Sequence, residues 1–164
     1  MIKLLVFDVD GTLSDGKVYF SQSGEEIKSF DIRDGLAINV WNHILKRPSA
    51  IITGRESSIV KKRANELGIE HIFMGVKNKG QVLQELIQML GLGQDEVACI
   101  GDDLNDLSMF RICPYAYMPK NGDKALKKYT FKVLKHCGGN GAVREMIEDV
   151  LKRNGDKKLE KHFL

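Results

Sequence analysis

Four stretches of this sequence place charged or hydroxyl side chains where an apolar run gives way to a turn. The run Ile2–Val9 ends in Asp8-Val9-Asp10-Gly11-Thr12. Side chains alternate along a strand, so Asp8 and Asp10 start on the same side, and Gly11 lets the chain turn at once. Two carboxylates this close raise one another's pKa unless a cation lies between them. Magnesium suits such a pair, because it takes hard oxygen ligands and keeps several waters. Ile51-Ile52-Thr53-Gly54-Arg55 ends a second run with a hydroxyl, a glycine and a fork-shaped cation. These are a hydrogen-bond donor, room for close approach and a guanidinium, and all three fit a phosphate. Lys79 opens a helix, a mobile point charge near further N-terminal amides. The fourth stretch, Ile100-Gly101-Asp102-Asp103-Leu104-Asn105-Asp106, again sets glycine and carboxylates after an apolar run.

The elements that must position these residues read as strand then helix, repeatedly. Ile2–Val9, Ala50–Thr53, His71–Met74, Val97–Ile100, Tyr115–Met118 and Thr130–Leu134 are short apolar runs of the kind expected in buried parallel strands. Helices are expected at Gly35–Lys46, Ser57–Leu67, Lys79–Leu90, Leu104–Phe110 and Gly141–Lys152, with Gly68 as a stop for the second. Lys17–Phe20 and Ile27–Ile32 alternate around a polar turn and read as a β-hairpin. The expectation is an α/β, Rossmann-like parallel sheet with helices on both faces and a small hairpin insertion. Ligands bind such sheets beyond the carboxyl ends of the strands, where all four stretches fall.

Length and composition narrow the class. The 164 residues fit one domain spanning 1–164, with the hairpin at about 17–32 and a tail at about 153–164. The formal charge of +3 resides in Lys152–Leu164, where five basic residues face two acidic ones. A balanced body argues against a nucleic-acid surface. The basic tail is expected to be a frayed, solvated end. Three widely spaced cysteines, Cys99, Cys113 and Cys137, point to reduced thiols in a cytoplasmic protein. No signal peptide and no membrane-length apolar stretch is expected.

The order Asp-x-Asp-Gly-Thr, threonine, lysine and Gly-Asp-Asp-x-x-Asp resembles the haloacid dehalogenase superfamily in its phosphatase branch. The resemblance implies Mg²⁺ held by Asp8, the Asp10 main-chain carbonyl and Asp102. It makes Asp8 the nucleophile, Asp10 the acid and base, and Thr53 and Lys79 the stabilisers of the transferring phosphoryl group. Asp103 and Asp106 would orient Lys79 or metal-bound waters. Too few residues separate the motifs for a cap domain, so a neighbouring subunit is expected to roof the site, with the hairpins in contact.

Asp15-Gly16, Gly24-Glu25-Glu26, Lys28-Ser29-Phe30, Ile32-Arg33-Asp34-Gly35 and Gly138–Glu145 are together similar to the family of 3-deoxy-D-manno-octulosonate 8-phosphate phosphatases. That resemblance implies a homotetramer acting on a phosphorylated sugar acid in lipopolysaccharide precursor synthesis. Arg33, Asp34 and Gly35 would contact the sugar, and Arg55 and Arg63 its carboxylate or hydroxyls. Asp10, Gly54 and Lys79 would also meet the substrate. Asn39 and Asn140 depart from the family, standing where many members carry arginine. Phosphatases of nine-carbon sugar acid 9-phosphates share most of these motifs, but typically have glutamate at the position of Arg55.

Each residue alone has a plainer reading. Lys79 would be a solvated helix start, Arg63 a surface charge, Trp41 and Cys99 core. His43, His71, His136 and His162 show no ligand spacing. A phosphoryl-receiver domain is the rival from another class. Its phosphorylated aspartate, however, ends a middle strand, whereas Asp8 ends the first.

Overall fold

The structure, a computed structural model, describes residues 1–164. Six strands form one parallel sheet: β1 (Leu4–Phe7), β4 (Ser49–Ile52), β5 (His71–Phe73), β6 (Val97–Ile100), β7 (Tyr115–Met118) and β8 (Lys132–Val133). Their order is β5-β4-β1-β6-β7-β8. β2 (Tyr19–Phe20) and β3 (Glu26–Ile27) form a separate antiparallel pair. The helices are α1 (Ile32–Asn39), α2 (Ser58–Glu66), α3 (Lys79–Met89), α4 (Leu107–Phe110) and α5 (Ala142–Asn154).

Strand alternation divides the core into two layers. Leu5 and Phe7 of β1, Ile51 of β4, and Ala98 and Ile100 of β6 pack with α1, α2 and α5. Leu4 and Val6, Ala50 and Ile52, and Val97 and Cys99 pack on the opposite face with α3 and α4. Every residue of β1, β4 and β6 is buried, which is why these strands read as continuous apolar runs. Trp41 is fully buried in the first layer, and its indole N–H donates to the Pro48 carbonyl at 2.9 Å, which satisfies its one polar atom. Cys99 is buried in the second layer.

Three local differences from the sequence reading have physical causes. First, α1 begins at Ile32 and not at Gly35, because the Asp31 carboxylate caps it by accepting from the Arg33 N–H at 2.7 Å. Ile32 therefore leaves the hairpin. Second, α1 passes at Asn39 into a wider helical turn, Val40–Ile44. Third, the tail is anchored. Asp156 receives both Arg47 guanidinium nitrogens at 2.5 and 3.0 Å, and Leu159 is buried against the first core layer. The expected frayed end is thus corrected to a packed one over these residues. No helix is long and apolar enough to cross a membrane.

Candidate active site

β1 is central, and its register delivers the site. Phe7 pairs with Ile51 on one side and Ile100 on the other. The Asp8 N–H donates to the Ile100 carbonyl at 3.0 Å. The chains leaving β4 and β6 therefore carry Thr53 and Asp102 to either side of Asp8. Asp8 continues the even-numbered alternation of Leu4 and Val6 and meets the layer of α3 and α4. There, Lys79 Nζ donates to Asp8 Oδ1 and to Asp106 Oδ1, both at 2.6 Å.

Lys79 is held in an unfavourable position for a free lysine. Asn78 caps α3 by accepting from the Gln81 N–H at 3.2 Å, which makes Lys79 the first helical residue. A cation there opposes the helix dipole, and its side chain is only 1% exposed. The two carboxylates offset both penalties. Burial pulls the Lys79 pKa down, but Asp8 and Asp106 outweigh it and the net shift is upward. The Asp106 carboxylate also accepts from the Asp102 N–H at 2.9 Å and the Asp103 N–H at 3.3 Å. Asp106 thus ties the lysine to the loop that follows β6. Asp103 turns its own carboxylate to the Leu104 N–H at 2.7 Å.

The carboxylates of Asp8, Asp102 and Asp106 lie within 4.8 Å of one another. Burial raises the Asp8 pKa well above the usual carboxylate range, and the neighbouring Asp106 adds to the rise. Burial, again with Asp106, pushes Asp102 up to about 6. Asp102 Oδ1 is buried without a hydrogen-bond partner. An orphaned acceptor beside carboxylates that resist ionisation fits a hard divalent cation, which would occupy the acceptor and hold the charges down. Gly11 completes this cradle. Its φ of 95° suits glycine, and a Cβ there would collide with the Asp102 carboxylate.

Asp10 does not share the partners of Asp8. β1 stops at Phe7, and the chain turns through Val9–Leu13. Asp10 Oδ1 accepts from Lys28 Nζ at 2.5 Å. Lys28 also pairs with Glu26 at 3.1 Å, and Glu26 with Arg55 at 2.9 Å. Glu26 and Lys28 were not singled out as site residues in the sequence. The available signal was their place in Gly24-Glu25-Glu26 and Lys28-Ser29-Phe30, two of the stretches that carry the family resemblance.

Thr53 is buried at the end of β4, and its Oγ1 accepts from the Arg55 N–H at 3.4 Å. Apart from its neighbours in the chain, no protein atom lies closer than 3.6 Å to where a Cβ at Gly54 would stand. The remaining residues form a second group at the junction of α1, α2 and α5. Arg33 is clamped by Asp31 at 2.8 Å and reaches Asn140 Oδ1 at 3.0 Å, so Asn140 serves as its acceptor. Asp34 accepts from the Arg144 N–H at 2.8 Å and so caps the N-terminus of α5. Burial pushes its carboxyl up to about 6. Gly35 leaves the space that the Arg63 guanidinium fills, where a Cβ would collide with it. Arg63 lies over the Phe30 ring, 5.8 Å from its centroid. No hydrogen bond or ion pair links this group to Asp8, Lys79, Asp102 or Asp106.

An aspartate at the end of the first strand, flanked by a threonine and an acidic loop, with a helix-borne lysine closing the set, defines the haloacid dehalogenase-like hydrolases. The profile of that family matches residues 69–147. The 3-deoxy-D-manno-octulosonate 8-phosphate phosphatase of Haemophilus influenzae is 36% identical over 94% of this chain and 85% of its own. That of Escherichia coli K12 is 36% identical over 94% and 81%. A Moraxella catarrhalis 3-deoxy-D-manno-octulosonate 8-phosphate phosphatase, crystallised with magnesium ion, phosphate ion and a KDO molecule, superposes with a TM-score of 0.88. It is 41% identical, over 92% of this chain and 86% of that one. The Yersinia pestis phosphatase superposes at 0.90 with 37% identity, covering 97% and 84%. The chain belongs to this family of haloacid dehalogenase-like phosphatases.

Proposed function

We propose that the chain hydrolyses 3-deoxy-D-manno-octulosonate 8-phosphate to the free sugar acid and phosphate, through an aspartyl-phosphate on Asp8. The observation that carries the mechanism is the buried Asp8–Lys79–Asp106 bridge beside the unpartnered Asp102 oxygen. Lys79 engages Asp8 Oδ1 and leaves Oδ2 free to attack phosphorus. As the new P–O bond forms, the bond to the sugar oxygen breaks, and Asp10 gives its proton to the departing alkoxide. Asp10 then takes a proton from the water that attacks phosphorus, which releases phosphate and restores Asp8. Thr53 and Lys79 face the charge on the transferring group. Asp8, Asp102 and the Asp10 main-chain carbonyl would hold magnesium, which when bound neutralises charge and orients the phosphate.

The substrate class rests on the relatives and on the arginines. Arg55 is linked through Glu26 and Lys28 to Asp10, Arg33 and Arg63 belong to the second group at α1 and α2, and a guanidinium pairs well with a sugar acid. Val18, Tyr19, Phe20 and Ile27 of the hairpin are exposed, together with Ile32 and Leu36 of α1. Exposed apolar side chains of this number on two neighbouring segments fit a contact between copies of the chain. The reading is a homotetramer in the cytoplasm, with a neighbour roofing each site.

The test is kcat/KM for eight- and nine-carbon sugar acid phosphates with magnesium, repeated in EDTA. Preference for the eight-carbon ester, abolished by EDTA, is expected. Equal turnover in EDTA would remove the metal from the mechanism, and preference for the nine-carbon ester would change the substrate.

A further inference from the structure

The Lys28 side chain is buried to the same degree as that of Lys79, each being 1% exposed. It projects from the end of β3, in a hairpin whose Tyr19, Phe20 and Ile27 face solvent. A buried ammonium is unfavourable unless paired. Its partners are Asp10 Oδ1 at 2.5 Å and Glu26 Oε1 at 3.1 Å. The same Glu26 oxygen accepts from Arg55 at 2.9 Å, so Glu26 is itself fixed.

Lysine offers donors and no acceptor. The Asp10 oxygen that faces Lys28 must therefore accept, and the oxygen free to carry a transferable proton is Oδ2. We propose that Lys28 is a positioning residue for Asp10: it holds Oδ1 and so presents Oδ2 to the leaving oxygen of the substrate. In the first half-reaction, the proton on Oδ2 passes to the sugar oxygen as its bond to phosphorus breaks and the Asp8–phosphorus bond forms. The proposal rests on the aspartyl-phosphate reading. It adds that the hairpin orients the acid, and does not merely cover the site.

The experiment compares leaving groups. An alkyl phosphate needs protonation on departure, whereas p-nitrophenolate leaves without it. The quantity kcat/KM reports steps up to that departure, so it isolates the acid half of Asp10's work. Lys28→Met should lower kcat/KM for the sugar phosphate about a hundredfold, but for p-nitrophenyl phosphate less than about tenfold. Glu26→Gln keeps the lysine and loosens its anchor, and should show the same asymmetry at smaller size. Equal losses on both esters would overturn the proposal, because a general loss of folding or packing affects both alike. Should Lys28→Met fail to fold, the Glu26→Gln ratio decides by the same criterion. A wild-type protein inactive on both esters with magnesium would instead sink the aspartyl-phosphate reading.

Discussion

The floor of the site and the hairpin above it are built by opposite rules. On the floor, Asp8, Lys79 and Asp106 are almost wholly removed from water and hydrogen-bonded to one another. The hairpin has two strands of two residues each and turns large apolar side chains outward. A pair of strands that short is not stable by itself. Here it is held by polar links, Lys28 to Asp10 and Arg55 to Glu26. Charge is thus buried where chemistry needs a low dielectric, while apolar surface is left exposed on the hairpin. The charged groups of the floor find their partners within the chain, whereas the apolar side chains of the hairpin find none and face solvent.

The largest effect expected from breaking this contrast is at the floor. Asp8→Asn should lower kcat by about a thousandfold or more, because an amide cannot form the acyl phosphate. Phosphate release and acid-quench trapping of labelled enzyme measure it, and normal turnover would end the covalent mechanism. Lys79→Met comes next. It strands buried carboxylates, and in EDTA at pH 8 should lower unfolding free energy by about 3–5 kcal/mol, read from urea melts. Added magnesium should return part of that loss, since a cation binding only the folded state stabilises it. A neutral substitution would mean that the bridge is not an energetic unit.

At the hairpin, Phe20→Glu combined with Ile27→Glu should leave circular dichroism unchanged but shift sedimentation toward monomers. The kcat/KM for the sugar phosphate should fall with assembly. An intact oligomer would show that this face is not the contact. The smallest effect sharpens the electrostatics of the floor. Without metal, burial and the neighbouring Asp106 push Asp102 up to about 6 and raise Asp8 as well. Cation binding requires both to be ionised, so it must displace protons at low pH. Magnesium affinity should therefore rise as pH increases through about 6. Calorimetry in two buffers of different ionisation enthalpy should find more protons released at pH 5.5 than at pH 8. Equal release at both would contradict the raised carboxyls.

Much of the fold was legible because buried parallel strands are short, continuous apolar runs. β6 and β7 occupy the expected residues, Val97–Ile100 and Tyr115–Met118. The start of α1 was misplaced because Ile27–Ile32 alternates like a strand, while the cap at Asp31 is a single side-chain hydrogen bond. The tail was misread because its charges dominate the composition. Its anchors are one leucine, Leu159, and a pair formed with Arg47, more than a hundred residues earlier.

The sequence by itself determined which side chains meet at the strand ends. Motif order, strand alternation and glycine placement are local properties, and in a parallel sheet they suffice to send Asp8, Thr53, Lys79 and Asp102 to one edge. Only the tertiary structure decided how those groups are partnered. It joined Asp10 to Lys28 and Asp8 to Lys79, although the two aspartates are a single residue apart. It also engaged Asp34 with α5 and seated Arg63 against Gly35. Hydrogen bonds depend on ångström-scale distances between elements remote in the chain, and no residue spacing specifies those.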